Sequence, residues 1–432
     1  MVRKIVDTLH EWKYKPDRQP LLLQGARQVG KTYTLLSFGK QYYKNVAYFS
    51  MEESKELPAI FERDLNPGRI VKELAVLCGQ SIFPEDTLII LDEIQACEQA
   101  LTSLKYFAER APQYHIVAAG SLLGVAMKRT KYSFPVGKVD MFHLYPMDFE
   151  EFLWAIDEKK LCDIIWESYE GFTPLSLHET AMDFYKAYLA IGGMPRAVQE
   201  YANKRDFDFV TSLQRTLNDS YIADMAKYAS ALETTRIMAA WASVPAQLAK
   251  ENHKFQYRII KTGARAYEYD IALDWLKAAG MINKCVQVSE GKLPLSAYAK
   301  NEAFKVYMVD TGLLCSKLDI APGIVMHTPH SFDGFKGALT ENYIMQSLVT
   351  NGITPYYWCS QGKAEVDFVF QDKQGNIIPL EAKSAENVRS KSLRFYQEKY
   401  KPAYCIRVSA RNFGFDNGIM SLPLYAVGCI GR

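Results

Sequence analysis

The sequence predicts an α/β protein whose first part is a parallel sheet carrying a phosphate-binding loop. Three observations predict it. Gly25-Ala26-Arg27-Gln28-Val29-Gly30-Lys31-Thr32 fits the spacing G-x-x-x-x-G-K-[ST] and follows the apolar run Leu21–Leu23. A second apolar run, Thr87–Leu91, closes in the carboxylates Asp92 and Glu93. From Leu21 to about Leu153, short apolar runs alternate with helical patterns. That alternation argues for parallel strands with helices on both faces.

Each element of the loop has a physical task. Gly25 and Gly30 let the backbone fold tightly, so that successive N–H groups face phosphate oxygens. Lys31 reaches the β- and γ-phosphates, and the Thr32 hydroxyl can ligate Mg²⁺. Tyr33 to Lys40 contains no proline, so a helix is expected there with its positive end toward the anion. The expected nucleotide-binding set is therefore Gly25, Ala26, Arg27, Gln28, Val29, Gly30, Lys31, Thr32 and Tyr33.

The acidic strand end supplies the partner. Asp92 would organise the metal, and Glu93 would polarise the attacking water as general base. The run His115 to Ala119 ends in Gly120-Ser121, so Ser121 is a candidate to sense the γ-phosphate or place the water. A plain Gly-Ser turn is the alternative. Glu93 and Ser121 both fall at carboxyl ends of expected strands, where open α/β sheets place ligands. Candidate strands are Leu21–Leu23, Val46–Phe49, Thr87–Leu91, Ile116–Ala119 and Val139–Leu144. Transition-state charge calls for an arginine. Arg110, Arg129 and Arg196 qualify, with Lys138 weaker, and the residues do not choose among them.

Composition narrows the class. The chain has 432 residues, 48% hydrophobic and 23% charged, with a net charge of +2. That length allows several domains, and that charge means any nucleic-acid binding must come from local patches. Met1 to Gln19 lacks a signal-peptide core, and no apolar run reaches the length of a membrane span. The cysteines are scattered without a C-x-x-C pair, which argues against a zinc site or a disulfide framework. A reduced, cytoplasmic protein without a membrane partner is expected.

Beyond Thr173-Pro174 helices dominate, from Leu177 to Ala249, with a break at Gly192-Gly193-Met194-Pro195. Tyr257 to Val288 has Ile259, Ile260, Ile271, Leu273 and Leu276 at roughly helical spacing. Val286 to Tyr298 would then form a β-wing, the texture of a winged helix-turn-helix. Lys261 and Arg265 there could grip a DNA backbone. Glu268, Asp270 and Asp274 count against it, and packing or protein contact is the alternative.

From Lys336 an amphipathic helix is expected, then strands Tyr356–Ser360, Val366–Phe370, Ile377–Lys383 and Ala403–Val408, with a helix at Ser392–Tyr400. Glu341, Asp367, Glu381 and Lys383 fall along this order. Strand alternation puts Glu381 and Lys383 on one face, and a hairpin would bring Asp367 to Glu381. Two carboxylates can share Mg²⁺ while a lysine polarises water or stabilises a phosphorane. Asp367 and Glu381 are the candidate ligands, Lys383 and Glu341 the further candidate catalytic groups. This is the D…E-x-K arrangement of restriction-endonuclease-like nucleases. An ion-paired hairpin in a structural domain, or a nuclease fold that only binds, remain alternatives. Arg389, Lys391 and Arg394 follow and could meet phosphates; a solvated helix face is the other reading.

The strings GARQVGKT, LDEIQ, AAGSLLG, FPVGKVDMFHLYPMDFEEFL, YLAIGGMPRAV, FKVYMVDTGLL, AEVDFVF and PLEAKS resemble the prokaryotic AAA+ ATPases with a C-terminal domain of unknown function. The resemblance implies a P-loop NTPase core of AAA+ type, a helical lid, a winged helix and a PD-(D/E)xK nuclease-like domain. The expected boundaries are 1–160 for the ATPase core, 161–235 for the lid, 236–325 for the winged helix and 326–432 for the nuclease-like domain. One departure is Gly137-Lys138, where many members read Gly-Arg; lysine lacks the planar fork. The expected function is ATP binding and hydrolysis with Mg²⁺, coupled to DNA binding, remodelling or processing. The alternative is a signalling or scaffold NTPase that switches protein partners around a silent nuclease-like domain. A homo-oligomer is compatible with either.

Overall fold

The computed structural model describes residues 1–121, 123–125, 135, 137–250, 254–327, 329–360, 364–383 and 391–432. The chain forms two compact units: residues 2–145 with 278–280, and residues 146–277 with 281–432 and Met1.

The first unit is α/β. Its elements run α1 (Ile5–Tyr14), β1 (Leu21–Gln24), α2 (Lys31–Tyr42), β2 (Asn45–Ser50), α3 (Leu57–Arg63), α4 (Pro67–Cys78), β3 (Thr87–Asp92), α5 (Glu98–Arg110), β4 (His115–Gly120) and β5 (Asp140–His143). Among the described residues these strands form a five-stranded sheet in the order β2-β3-β4-β1-β5. All its pairings are parallel. β3 and β4 are buried along their whole length, which is why they read as unbroken apolar runs. α5 buries Ala100, Leu101, Leu104 and Phe107, the spacing of one helix face. That face joins a core with Leu22, Ile89, Leu91 and Ile116 from the sheet and Ile70 and Leu74 from α4. α4 starts cleanly because Asn66 accepts from the N–H groups of Gly68 and Arg69, with Pro67 in the first turn. The topology matters for the site: β4 lies between β1 and β3, so its tip stands between the loop after β1 and the carboxylates after β3.

The second unit begins with helices: α6 (Phe149–Ala155), α7 (Lys159–Gly171), α8 (His178–Ile191), α9 (Pro195–Lys204), α10 (Phe207–Tyr228), α11 (Ala231–Leu248), α12 (Tyr257–Ile260) and α13 (Ala266–Ala278). A hairpin follows, β6 (Ile282–Val288) and β7 (Ala299–Met308). Then come α14 (Thr311–Lys317), α15 (Pro322–His327), α16 (Asp333–Thr350), β8 (Tyr356–Ser360), β9 (Ala364–Gln371) and β10 (Ile377–Ala382). The chain closes with α17 (Lys391–Tyr400), β11 (Cys405–Ser409), β12 (Gly414–Asp416) and β13 (Ile419–Pro423). Among the described residues this unit has an eight-stranded mixed sheet, ordered β12-β13-β11-β10-β9-β8-β6-β7.

The expected wing, Val286 to Tyr298, is therefore placed differently. Its second strand begins only at Ala299, after a 3-10 turn at Leu295–Tyr298. The hairpin does not stand alone either: β6 pairs in parallel with β8 and so extends the C-terminal sheet. Within the preceding helix Ile271 is 66% exposed, against its expected place in the apolar periodicity, while Ala272, Leu273 and Leu276 are buried. α17 packs on the sheet through Leu393 and Tyr396, beside Trp358, Val366 and Val369. Among the described residues, no helix is long and apolar enough to cross a membrane.

Candidate nucleotide site and a charged cluster

The loop between β1 and α2 adopts a conformation that its glycines make possible. Gly25 has φ +152°, and a Cβ there would stand 2.2 Å from the Leu144 carbonyl oxygen. Gly30 caps α2 with φ 93°, in left-handed territory. Lys31 opens the helix and is only 6% exposed. Its Nζ donates to the carbonyls of Gly25 and Ala26, both at 2.9 Å, curling the side chain over its own loop. Burial lowers its pKa to about 8, against the pull of Glu93 and Asp92. Val29 and Ala26 are buried, whereas Tyr33 is exposed. Arg27 and Gln28 lie toward solvent, with Gln28 at a left-handed φ of 63°.

The acidic strand end meets this loop. Thr32 Oγ1 donates to Asp92 Oδ2 at 2.5 Å. Tyr48 donates to the same oxygen at 3.1 Å, and Glu93 N–H donates to Asp92 Oδ1 at 3.0 Å. Glu93 itself turns out of the strand with φ 48°. Its Oε2 accepts from Gln95 Nε2 at 2.5 Å and from Ser121 Oγ at 3.4 Å. The strand order thus unites Lys31, Thr32, Asp92, Glu93 and Ser121 at the carboxyl edge of the sheet, as the spacing led one to expect.

These residues fit a nucleotide with Mg²⁺. A buried, cationic lysine satisfied only by carbonyls can exchange them for phosphate oxygens. A threonine hydroxyl beside a carboxylate is the oxygen donor set that Mg²⁺ accepts while keeping several waters.

Sequence reasoning overlooked three supports here. Arg3, 6% exposed, donates to the carbonyls of Val29 at 2.9 Å and Tyr145 at 2.7 Å, tying the loop to the strand edge. Tyr48 and Gln95 complete the hydrogen bonding of Asp92 and Glu93. Gln95 lies in the quoted string LDEIQ, so its place directly after the carboxylates was the available signal.

In the second unit, Asp367 on β9 and Glu381 on β10 come together as expected. Leu380 pairs with Phe368 in the antiparallel register, and Asp367 Oδ2 accepts from Ala382 N–H at 2.8 Å. Lys383 Nζ lies 2.7 Å from Glu381 Oε1. Glu341, from α16, accepts from Tyr307 OH at 2.8 Å. Burial, with Glu341 next in effect, pushes the Asp367 carboxyl up to about 7. Lys383 is held above its usual value: burial is the largest influence and opposes the charge, but the bond to Glu381 and the charges of Glu381, Asp367 and Glu341 together outweigh it. Lys305 also enters this cluster. Its Nζ stands 2.7 Å from Glu365 Oε1 and 3.6 Å from Glu341 Oε2. Among the described residues, no three His, Cys, Asp or Glu side chains are grouped to hold a metal ion.

Residues 17–153 match the AAA domain family. Residues 336–427 match a domain of unknown function, DUF4143, and residues 182–323 another, DUF8612. No curated protein matches the chain. Among solved structures it is similar to the Walker-type ATPase of Pyrococcus abyssi, at 14% identity over 73% of this chain and 95% of that one, with a TM-score of 0.47. It is similar to the Aeropyrum pernix ORC2 protein at 14% identity, over 72% and 88%, with a TM-score of 0.36. It is similar to the Thermotoga maritima RuvB Holliday junction branch migration motor at 15% identity, over 66% and 89%, with a TM-score of 0.33.

The AAA-like region contains both the loop and the acidic pair. Of the arginine-finger candidates, Arg110 is exposed and stacks over Tyr106, with 5.0 Å to the ring centroid. Lys138 pairs with Glu109 at 3.3 Å. Arg196 is exposed on α9, and Arg129 lies outside the described residues. In the DUF4143-like region Lys391 and Arg394 are exposed on α17, and Arg389 lies outside the described residues. Lys261 and Arg265 are exposed between α12 and α13.

Proposed function

We propose that this protein binds ATP with Mg²⁺ at the loop after β1 and hydrolyses it, and that the nucleotide state governs an interaction with DNA. One observation carries the first part: Thr32, Asp92, Glu93 and Ser121 are hydrogen-bonded in a chain beside the buried Lys31. Bound Mg²⁺ would spread the charge that the phosphates develop. Lys31 leaves the Gly25 and Ala26 carbonyls to meet that charge. Thr32 and Asp92 would hold the metal. Glu93 takes the proton from an attacking water, and Ser121, bonded to the same carboxylate oxygen, keeps it aimed.

The DNA part is supported by the exposed cations Lys261, Arg265, Lys391 and Arg394. The winged-helix reading of α12 to β7 and the nuclease-like reading of α16 to β10 belong to this proposal. Lys305, seated among the C-terminal carboxylates, favours a C-terminal region that does not cleave.

The test separates binding from chemistry. Lys31→Ala is expected to abolish ATP binding in calorimetry. Glu93→Gln is expected to keep the affinity and lower turnover by about 10²-fold or more. Full turnover in Lys31→Ala would overturn the proposal.

A further inference from the structure

Lys305 is the least expected member of the C-terminal cluster. It sits on β7 opposite Cys285 of β6, inside the hairpin that extends the sheet, and is 1% exposed. A lysine so buried persists only when paired, because desolvation otherwise forces it to lose its proton. It is paired thoroughly. Its Nζ lies 2.7 Å from Glu365 Oε1, 3.6 Å from Glu341 Oε2 and 5.1 Å from the centroid of the Tyr357 ring. Tyr307, wholly buried two residues on, donates to the same Glu341 oxygen at 2.8 Å. Across the cluster Lys383 holds Glu381 Oε1 at 2.7 Å, while the buried Glu381 Oε2 has no hydrogen-bond partner among the described residues.

The nuclease-like reading implies Mg²⁺ at Asp367 and Glu381. Mg²⁺ demands a near-octahedral oxygen shell and dehydrates reluctantly. Crowded carboxylates are compensated by a proton, a metal or an ammonium. Here Lys305 already holds Glu365 and Glu341, and Lys383 holds Glu381, the candidate ligand beside Asp367. The residues therefore do not fit a resident Mg²⁺.

We infer that Lys305, together with Lys383 on Glu381, supplies the resident positive charge of the Glu341, Glu365, Asp367 and Glu381 cluster, and that Lys305 closes this cluster to divalent metal. The inference goes beyond the ATPase proposal and does not depend on it. The side chain works as a built-in counter-ion: it removes the repulsion that would recruit a metal, and it engages Glu365 and Glu341, whose oxygens would complete a metal's shell beyond Asp367 and Glu381. Removing its charge should expose a divalent site.

The experiment titrates the full chain with Mn²⁺, without nucleotide, following free Mn²⁺ by electron paramagnetic resonance. Each protein is compared with its Asp367→Asn counterpart, so that only sites in this cluster are counted. The wild type is expected to show no Mn²⁺ site that Asp367→Asn removes. Lys305→Met is expected to gain one, at least tenfold tighter than any binding the wild type shows at that position. Lys305→Arg, which keeps the charge, is expected to gain none. An Asp367-dependent site in the wild type or in Lys305→Arg overturns the inference, as does a Lys305→Met protein with native circular dichroism and no new site. Should Lys305→Met fail to fold, Lys305→Gln takes its place, and the wild-type comparison still decides.

Discussion

Glu93 is held by neighbours whose importance lies in a fraction of an ångström. Gln95 reaches its carboxylate only because Gly120 has no side chain: a Cβ there would stand 2.1 Å from Gln95 Oε1. Gln95→Leu should therefore lower kcat by about tenfold or more while leaving the ATP dissociation constant unchanged, since it frees the general base without touching the loop. Gly120→Ala should act in the same direction by displacing Gln95. Steady-state turnover beside calorimetric affinity checks both, and a parallel fall in affinity would sink this reading of Gln95. Lys31 makes a second prediction, about pH. Its pKa is about 8 in the folded chain, below the ordinary 10.5, because it is buried. Above pH 8 the folded chain has lost a proton that the unfolded chain still holds. Stability from this group consequently rises with pH from about 8 to 10.5, whereas ATP needs the charged form, so affinity falls over the same window. Calorimetry in buffers of different ionisation enthalpy should detect proton uptake on ATP binding at pH 9 and little at pH 7. At this scale the nucleotide site was legible because its residues lie within short motifs. Arg3 and Lys305 were not legible: each is a cation that sequence reads as surface, buried by partners far along the chain.

Among elements, the inner strands β1, β3 and β4 of the AAA-like sheet follow their apolar runs closely, because strands buried on both faces have nothing to alternate, whereas the edge strands β2 and β5 are only partly buried. The hairpin β6–β7 is harder to read. Its turn holds Pro294 and a 3-10 segment, a register shift falls at Val286/Gln287, and the buried half of β7 carries Lys305 among apolar residues. β12 and β13 lie in a stretch containing Asn412, Gly414, Asp416, Asn417 and Gly418, where periodicity is weak. The break between α8 and α9 was visible as Gly192-Gly193-Met194-Pro195, and its physical cause is Asp310. That carboxylate, fully buried ahead of α14, accepts from Gly193 N–H at 2.6 Å and from Leu313 N–H at 2.9 Å. A Cβ on Gly193 would stand 1.9 Å from the Met147 carbonyl oxygen, so the turn admits only glycine. Asp310→Ala removes a helix cap and strands a buried N–H. It should cost about 2–4 kcal/mol in urea unfolding. A loss below about 0.5 kcal/mol, the range of ordinary surface substitutions, would show that the turn holds itself.

For the whole molecule, the question is whether nucleotide and nucleic acid communicate, and net charge limits the answer. At +2 overall, the protein has no global field to draw DNA to it. Binding would rest on a few exposed cations, of which Lys261, Arg265, Lys391 and Arg394 are the candidates. Each phosphate neutralised contributes about −0.9 to the slope of log K against log salt, so these residues together allow a slope no steeper than about −4. Arg394→Ala should flatten that slope by about one and weaken binding evenly across sequences, because a phosphate contact reads no base. The ATP-loaded Glu93→Gln protein and the nucleotide-free protein should then differ in affinity for duplex DNA at fixed salt, if the loop and the cations belong to one device. Equal affinities would uncouple them. An interaction insensitive to salt would point instead to a protein partner, and the exposed Tyr267 and Ile271 on α13, at 69% and 66%, would be the surface to examine first.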